Sequence, residues 1–140
     1  MSSAVHRFTG TEFDYNWEGA VAKQIPPEDT AKGATGKVAI GPQDGAENFV
    51  FRYFCVQPGG NSTMPDQHVH DHGIYILHGK GEVTLNGDQV YEVNARDMVY
   101  IAPNDVHGIV NTGSEPLGFI CVIPSKPRLD EYLKLTHKTA

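Results

Sequence analysis

Short β-rich segments separated by turn residues dominate the chain from about residue 36 to residue 123. Their apolar and β-branched side chains occur in runs of four to ten residues, which is the length of strands rather than of helices. These runs fall at 37–40, 48–57, 74–77, 82–85, 89–93, 98–101, 107–110 and 117–123. Eight short strands with no helix between them predict an all-β, antiparallel sandwich or barrel.

Turn residues separate the predicted strands. Asn86-Gly87-Asp88 predicts a tight hairpin, because the Asn-Gly pair tolerates the positive φ angles that such a reversal requires. Further turns are predicted at Pro58-Gly59-Gly60, Pro103-Asn104-Asp105 and Thr112-Gly113-Ser114.

The two ends of the chain differ from the strand-rich middle. Residues 1–35 contain several aromatic side chains without a clean period, which predicts an irregular extension packed on the barrel of residues 36–124. In residues 125–140, Pro127 favours the start of a short helix. That helix is interpreted as a lid on the barrel, and a dimer contact or an active-site cover remain open alternatives. Its apolar face would consist of Leu129, Tyr132 and Leu133.

Composition narrows the classes of partner. The 140 residues, 39% hydrophobic and 20% charged, carry 11 Lys and Arg against 17 Asp and Glu, a net charge of −6. Because phosphate binding needs a basic stripe, no nucleic-acid partner is expected. The apolar runs are too short to span a membrane, and the first residues lack a secretory pattern, so a cytoplasmic protein is expected. Cys55 and Cys121 lie in apolar strands and are interpreted as inert core thiols, with a nucleophilic role as the less favoured alternative.

Histidines cluster at one point of the chain. Three of the seven, His68, His70 and His72, occupy five residues just after Asp66, and His107 follows 35 residues later. In a straight strand the stretch 66–72 would span roughly 20 Å, too far for one ion to reach both ends. The chain must therefore bend near 69–71, and such a bend would turn His70 away from the ion.

This geometry favours Asp66, His68, His72 and His107 as the ligands of one metal ion, with His70 as an alternative ligand or a residue that supports the ligands. Three imidazoles and a carboxylate suit a divalent first-row metal. Four protein ligands on a six-coordinate ion leave two positions open for substrate, water or oxygen. Since no thiolate lies beside the cluster, a structural zinc site is less favoured. A histidine cluster without any ligand role is the alternative.

The spacing of these residues resembles the two motifs of the cupins. The first motif is matched by Gly60, Asp66, His68, His72 and Gly79. The second motif is matched by Pro103, His107 and Asn111. The resemblance implies a jelly-roll β-barrel, a metal site and a homodimer. In this chain the ligand order would be Asp, His, His, His in place of the usual His, His, Glu, His.

The first motif and the strand that follows it, His72-Gly73-Ile74-Tyr75-Ile76-Leu77, are similar to the metal-bearing half of (S)-ureidoglycine aminohydrolases. That resemblance implies manganese, with iron, nickel or zinc as alternatives, and a hydrolase or lyase acting on a small polar metabolite. A non-haem iron dioxygenase and a non-catalytic metal- or ligand-binding cupin remain the other hypotheses. The group that moves the proton is left open among Tyr75, Tyr100, Arg52 and His70, and parity with His72 points Tyr75 away from the barrel interior.

Overall fold

Nine strands and a C-terminal helix form the part of the chain that the computed structural model describes, residues 2–138, with side chains up to residue 135. A single 3-10 turn lies at Pro42–Asp44. The elements are β1 Val21–Lys23, β2 Lys32–Ile40, β3 Phe49–Asn61, β4 His72–His78, β5 Lys80–Leu85, β6 Gln89–Asn94, β7 Met98–Ile101, β8 Gly108–Val110, β9 Leu117–Pro124 and α1 Lys126–Lys138. Residue 1 of the predicted extension (1–35) and residues 139 and 140 of the predicted C-terminal part (125–140) lie outside the described residues.

Every pair of neighbouring strands in the described chain is antiparallel. The strand order is β6-β5-β8-β3-β9-β4-β7. Outside this order, β2 also pairs with β3, and β1 pairs with β2. The sheet curls into an open barrel, so the predicted all-β antiparallel class with a short C-terminal helix is confirmed. None of the helices in the described part of the chain is long and apolar enough to cross a membrane.

Strand alternation decides which side chains enter the barrel. On β4, His72, Ile74 and Ile76 are buried while Tyr75 between them is only half-buried, as its parity predicts. Register aligns Ile74 with Cys121 on β9, so inward positions of the two strands meet. The buried core is completed on neighbouring strands by Val56, Val83, Ile101, Ile109, Leu117 and Phe119.

Two of the predicted turns have different outcomes. The hairpin at Asn86-Gly87-Asp88 is confirmed, with positive φ of 53° at Asn86 and 86° at Gly87 joining β5 to β6. The turn predicted at Pro58-Gly59-Gly60 is wrong, because β3 continues through these residues to Asn61. Gly59 adopts a φ of +80° and the register with β2 shifts there, so the glycines form a bulge instead of a reversal.

The N-terminal segment packs on the outside of the barrel through aromatic rings. The Tyr15 ring stacks on Tyr53 with centroids 6.0 Å apart, and the Tyr15 amide donates to the Tyr53 hydroxyl at 3.0 Å. That hydroxyl also lies 2.6 Å from Nε2 of His78. β1 and the first residues of β2 lie within the stretch 1–35, and the three-part division of the chain stays a prediction.

The Asn111 side chain joins strand β3 to the loop between β8 and β9. It is 2% exposed, and its amide nitrogen donates to the carbonyls of Val56 at 2.8 Å and Glu115 at 2.9 Å. Its side-chain oxygen accepts from the Gly113 amide at 2.8 Å. All three backbone groups therefore depend on one side chain for these hydrogen bonds.

Replacing Asn111 with alanine is expected to lower the free energy of unfolding by about 3 kcal/mol, because buried backbone groups lose their partners. Urea unfolding of the metal-free protein followed by circular dichroism measures the change. Asn94→Ala is the matched control, since Asn94 is exposed and its side-chain nitrogen Nδ2 makes only a 3.5 Å contact with Glu92. Equal unfolding midpoints for the two variants would contradict the expected role of Asn111.

Candidate metal centre

A backbone bridge brings the two histidine-bearing stretches together. The Asp66 amide donates to the His107 carbonyl at 2.8 Å, and the His107 amide donates to the Asp66 carbonyl at 2.9 Å. Asp66 lies in the loop between β3 and β4, and His107 lies just before β8. Residues distant in the sequence are thus held opposite each other by two hydrogen bonds.

Three side chains converge at this bridge. Asp66, His68 and His107 each offer one ligand atom, and these atoms all lie within 4.8 Å of one another. Oδ2 of Asp66 is 3.0 Å from Nε2 of His68 and 3.8 Å from Nε2 of His107. Three of the four residues that the sequence predicts as ligands therefore meet in one group.

The second nitrogen of His107 decides what this group can bind. Nδ1 of His107 lies 2.8 Å from the Asp105 carbonyl, which can only accept, so Nδ1 carries a proton. In the neutral imidazole, Nε2 then presents a lone pair toward the Asp66 carboxylate. Two acceptors that face each other at 3.8 Å are stabilised by a positive charge between them.

His72 lies beside this triplet at the start of β4. Its ring centroid is 4.8 Å from that of His107 and 5.6 Å from that of His68. The residue is 7% exposed and lines the same cavity. Nδ1 lies 3.1 Å from the sulphur of Cys121, whereas Nε2 is buried without a hydrogen-bond partner. In the tautomer whose Nδ1 donates to the Cys121 sulphur, Nε2 has a free lone pair and is suited to bind a metal ion.

The electrostatics keep these groups in the protonation states that metal binding requires. Burial raises the pKa of Asp66, but the hydrogen bond from His68 and the positive charges that His68 and His107 carry when protonated outweigh burial, so the pKa lies below its usual value. Burial first, and then the charges of His107 and His68, lower the pKa of His72 to about 3. At neutral pH the carboxylate is ionised and the His72 imidazole is neutral.

His70 takes a different position from the other histidines of the cluster. The chain bends at Val69 and His70, and the His70 ring stacks on the His68 ring with centroids 4.9 Å apart. Nδ1 of His70 is 3.0 Å from the Asp71 carbonyl, and the residue does not line the cavity. Its place is therefore behind His68.

The cluster lies in the wall of a cavity of about 220 Å³ inside the barrel. Most of the lining is apolar, including Phe54, Val56, Ile74, Ile101 and Phe119. Pockets for drug-sized ligands are usually about 300–1,000 Å³, so this cavity suits a smaller molecule. A small space with apolar walls and one polar cluster is the usual design of a small-molecule site.

Cys121 has a role that its sequence context did not indicate. The thiol is buried, as the interpretation of a core cysteine requires, but it lies in the cavity wall and contacts His72 and Arg52. Burial raises its pKa against the opposing effect of Arg52, so the thiol is neutral and is not an activated nucleophile. The usable signal is parity, because Cys121 lies two residues after the inward-facing Phe119 on β9 and therefore shares its face.

The four candidates for proton transfer differ in whether they line the cavity. Arg52 lines the cavity, whereas Tyr75, Tyr100 and His70 do not. Tyr100 is 65% exposed on β7, and its hydroxyl donates to Asp71 at 2.9 Å. Of these four side chains, only Arg52 is therefore in reach of a molecule in the cavity.

Comparison with known proteins agrees with the fold. The family model described as "Cupin domain" matches residues 52–123, about half of the chain. The polyketide cyclase RemF from Streptomyces resistomycificus is 30% identical, with a TM-score of 0.69 over 89% of this chain and 80% of that one. A cupin-2 domain protein from Rhodospirillum rubrum is 31% identical, with a TM-score of 0.68 over 84% of this chain and 77% of the other.

A curated relative is similar over a shorter stretch. The 1-methylthio-D-xylulose 5-phosphate methylsulfurylase of Rhodospirillum rubrum is 40% identical over 81 residues, which are 56% of this chain and 51% of the relative. The chain thus spans about half the length of that protein. On the family match, the similarity of the solved structures and the two motifs that meet at Asp66 and His107, the chain belongs to the cupin family.

Proposed function

We propose that this chain is a metal-dependent enzyme that acts on a small polar metabolite bound in the barrel cavity. The observation that carries the proposal is the group of Asp66, His68 and His107, whose ligand atoms all lie within 4.8 Å of one another, with the unpartnered Nε2 of His72 beside it. Such a set is favourable when a cation lies among its members. We propose manganese as the first choice, before iron, nickel or zinc, because the first motif resembles that of the manganese-dependent (S)-ureidoglycine aminohydrolases. Three imidazoles and a carboxylate suit any of these divalent ions.

The ligands would be Asp66, His68, His72 and His107. The proton that His68 shares with Asp66 would leave when the metal binds, because ligating imidazoles are neutral. Asp105 orients His107 through Nδ1. The bound ion would supply a Lewis acid and lower the pKa of a bound water or substrate.

The remaining residues of the cavity shape the site. Cys121 holds the His72 ring through Nδ1, and Phe54 and Phe119 exclude water from the wall. Two relatives with enzyme names, the methylsulfurylase and the polyketide cyclase, favour catalysis over simple ligand binding. The narrower reading, a hydrolase or lyase similar to (S)-ureidoglycine aminohydrolase, stays a prediction.

Removing any one proposed ligand is expected to weaken metal binding by about 100-fold or more, because the ion loses one of its bonds to the protein. After dialysis against manganese, Asp66→Ala, His72→Ala and His107→Ala should each contain less manganese than the wild type, as measured by elemental analysis. His70→Ala is the matched control, since His70 stacks on His68 outside the cavity, and it should retain metal. A metal-free His70→Ala with a fully loaded Asp66→Ala would exchange the roles of the two residues and contradict the proposed set.

The manganese-loaded protein is expected to release ammonia from (S)-ureidoglycine, and His107→Ala should lower kcat/KM by more than about 100-fold. A coupled ammonia assay measures both. Oxygen uptake by an iron-loaded protein without ammonia release would favour the dioxygenase instead. Metal retention with no turnover of either kind would favour the binding module.

We also propose that the chain forms a homodimer through the edge strand β7. Among the described residues, β7 pairs only with β4, and it exposes Met98 at 78% and Tyr100 at 65%. An unpaired edge with large apolar side chains is a surface that a second copy can cover. A cytoplasmic location and the lack of a nucleic-acid partner stay predictions.

Light scattering at micromolar concentration is expected to give twice the mass of one chain, and Met98→Lys should shift the protein toward the monomer by placing a charge in the interface. Val90→Lys is the matched control on the opposite edge strand, where Val90 is 56% exposed. A monomeric wild type, or equal dissociation of both variants, would contradict β7 as the interface.

A further inference from the structure

Arg52 is a cation in the cavity wall without an acidic partner. It points inward from β3 between Val38 on β2 and Cys121 on β9, with which it is in register. One terminal nitrogen, Nη2, lies 3.2 Å from the Cys121 sulphur, and the guanidinium carbon lies 5.1 Å from the centre of the Phe54 ring. Nε is buried without a hydrogen-bond partner. Among the side chains described, those of residues 2–135, no carboxylate oxygen lies within 4.0 Å of the guanidinium.

Burying part of the Arg52 guanidinium without an acidic partner costs free energy unless another group compensates its charge. A buried charged donor that lacks a partner loses hydration without a compensating hydrogen bond. The face of Phe54 recovers part of that loss, and a thiol is a weak acceptor for the rest. An anion that enters the cavity would neutralise the charge of the guanidinium that lines it.

The guanidinium is also on the same wall as the candidate metal centre. The Cys121 sulphur contacts Nη2 of Arg52 at 3.2 Å and Nδ1 of His72 at 3.1 Å. One atom thus separates the cation from a proposed metal ligand. A small molecule in the 220 Å³ cavity can therefore contact Arg52 at one end and the metal centre at the other.

We infer that Arg52 binds a carboxylate of the substrate, an assignment that rests on the proposed function of the site. The planar fork of a guanidinium matches the two oxygens of a carboxylate. The other cation of the lining, Lys23, lies near the carboxylate of Asp29. A single unpaired guanidinium fits one negative charge better than a phosphate dianion. The substrate class is then a small carboxylic acid with a second polar group that faces the metal.

The test observes Arg52 directly by NMR of its Nε–H group, assigned by its loss in Arg52→Lys. Malonate is the probe, neutral malonamide is its isostere, and inorganic phosphate is the third arm, each titrated into metal-free and zinc-loaded protein. Malonate is expected to shift the Arg52 resonance to saturation, and malonamide to leave it in place. Arg52→Gln should raise the Kd for malonate, measured by calorimetry, by about 10- to 100-fold.

Arg7→Gln is the control, because Arg7 is exposed and lies outside the cavity lining, and it should bind malonate as the wild type does. An unmoved Arg52 resonance, or an unchanged Kd in Arg52→Gln with intact circular dichroism, would overturn the inference. Tighter binding of phosphate than of malonate would overturn the carboxylate as the group bound. Metal analysis of the same samples separates the two claims: a protein that takes up no zinc contradicts the metal site, while the metal-free titration still decides the role of Arg52.

Discussion

The pair of hydrogen bonds between the backbones of Asp66 and His107 is the constraint on which the candidate site depends. The two residues are brought together by a barrel whose strands place their loops at the same end. Because backbone groups make the bridge, the side chains remain free to converge. A loop that lost this pairing would separate the carboxylate from the imidazole and leave no place for a shared cation.

The apolar walls of the cavity strengthen the electrostatic interactions of the few charged groups that it contains. Its walls are largely apolar, so the carboxylate of Asp66 and the guanidinium of Arg52 act in surroundings that screen charge less than water does. Nε2 of His72 and Nε of Arg52 are both buried and both lack hydrogen-bond partners. A cation beside the imidazole and an anion beside the guanidinium would compensate the two groups together, which suits a small acid held on a metal ion.

Much of the architecture was readable from the sequence, because two-residue alternation and turn chemistry are local. Such local patterns predict the hairpin at Asn86 and Gly87 and the inward face of β4. The local sequence does not distinguish the bulge at Gly59 from a turn, since a glycine with positive φ suits either a reversal or a strand irregularity. The contacts of Cys121 depend on the register of β9 against β3 and β4, which no local pattern encodes.

Anomalous diffraction from crystals of the manganese-loaded protein, collected at the manganese edge, tests the central claim most directly. The account predicts one strong peak in the barrel, in bonding contact with the Asp66 carboxylate and with Nε2 of His68, His72 and His107. A map with no peak at this cluster after saturation with metal, or with a peak bound through His70 in place of Asp66, would contradict it.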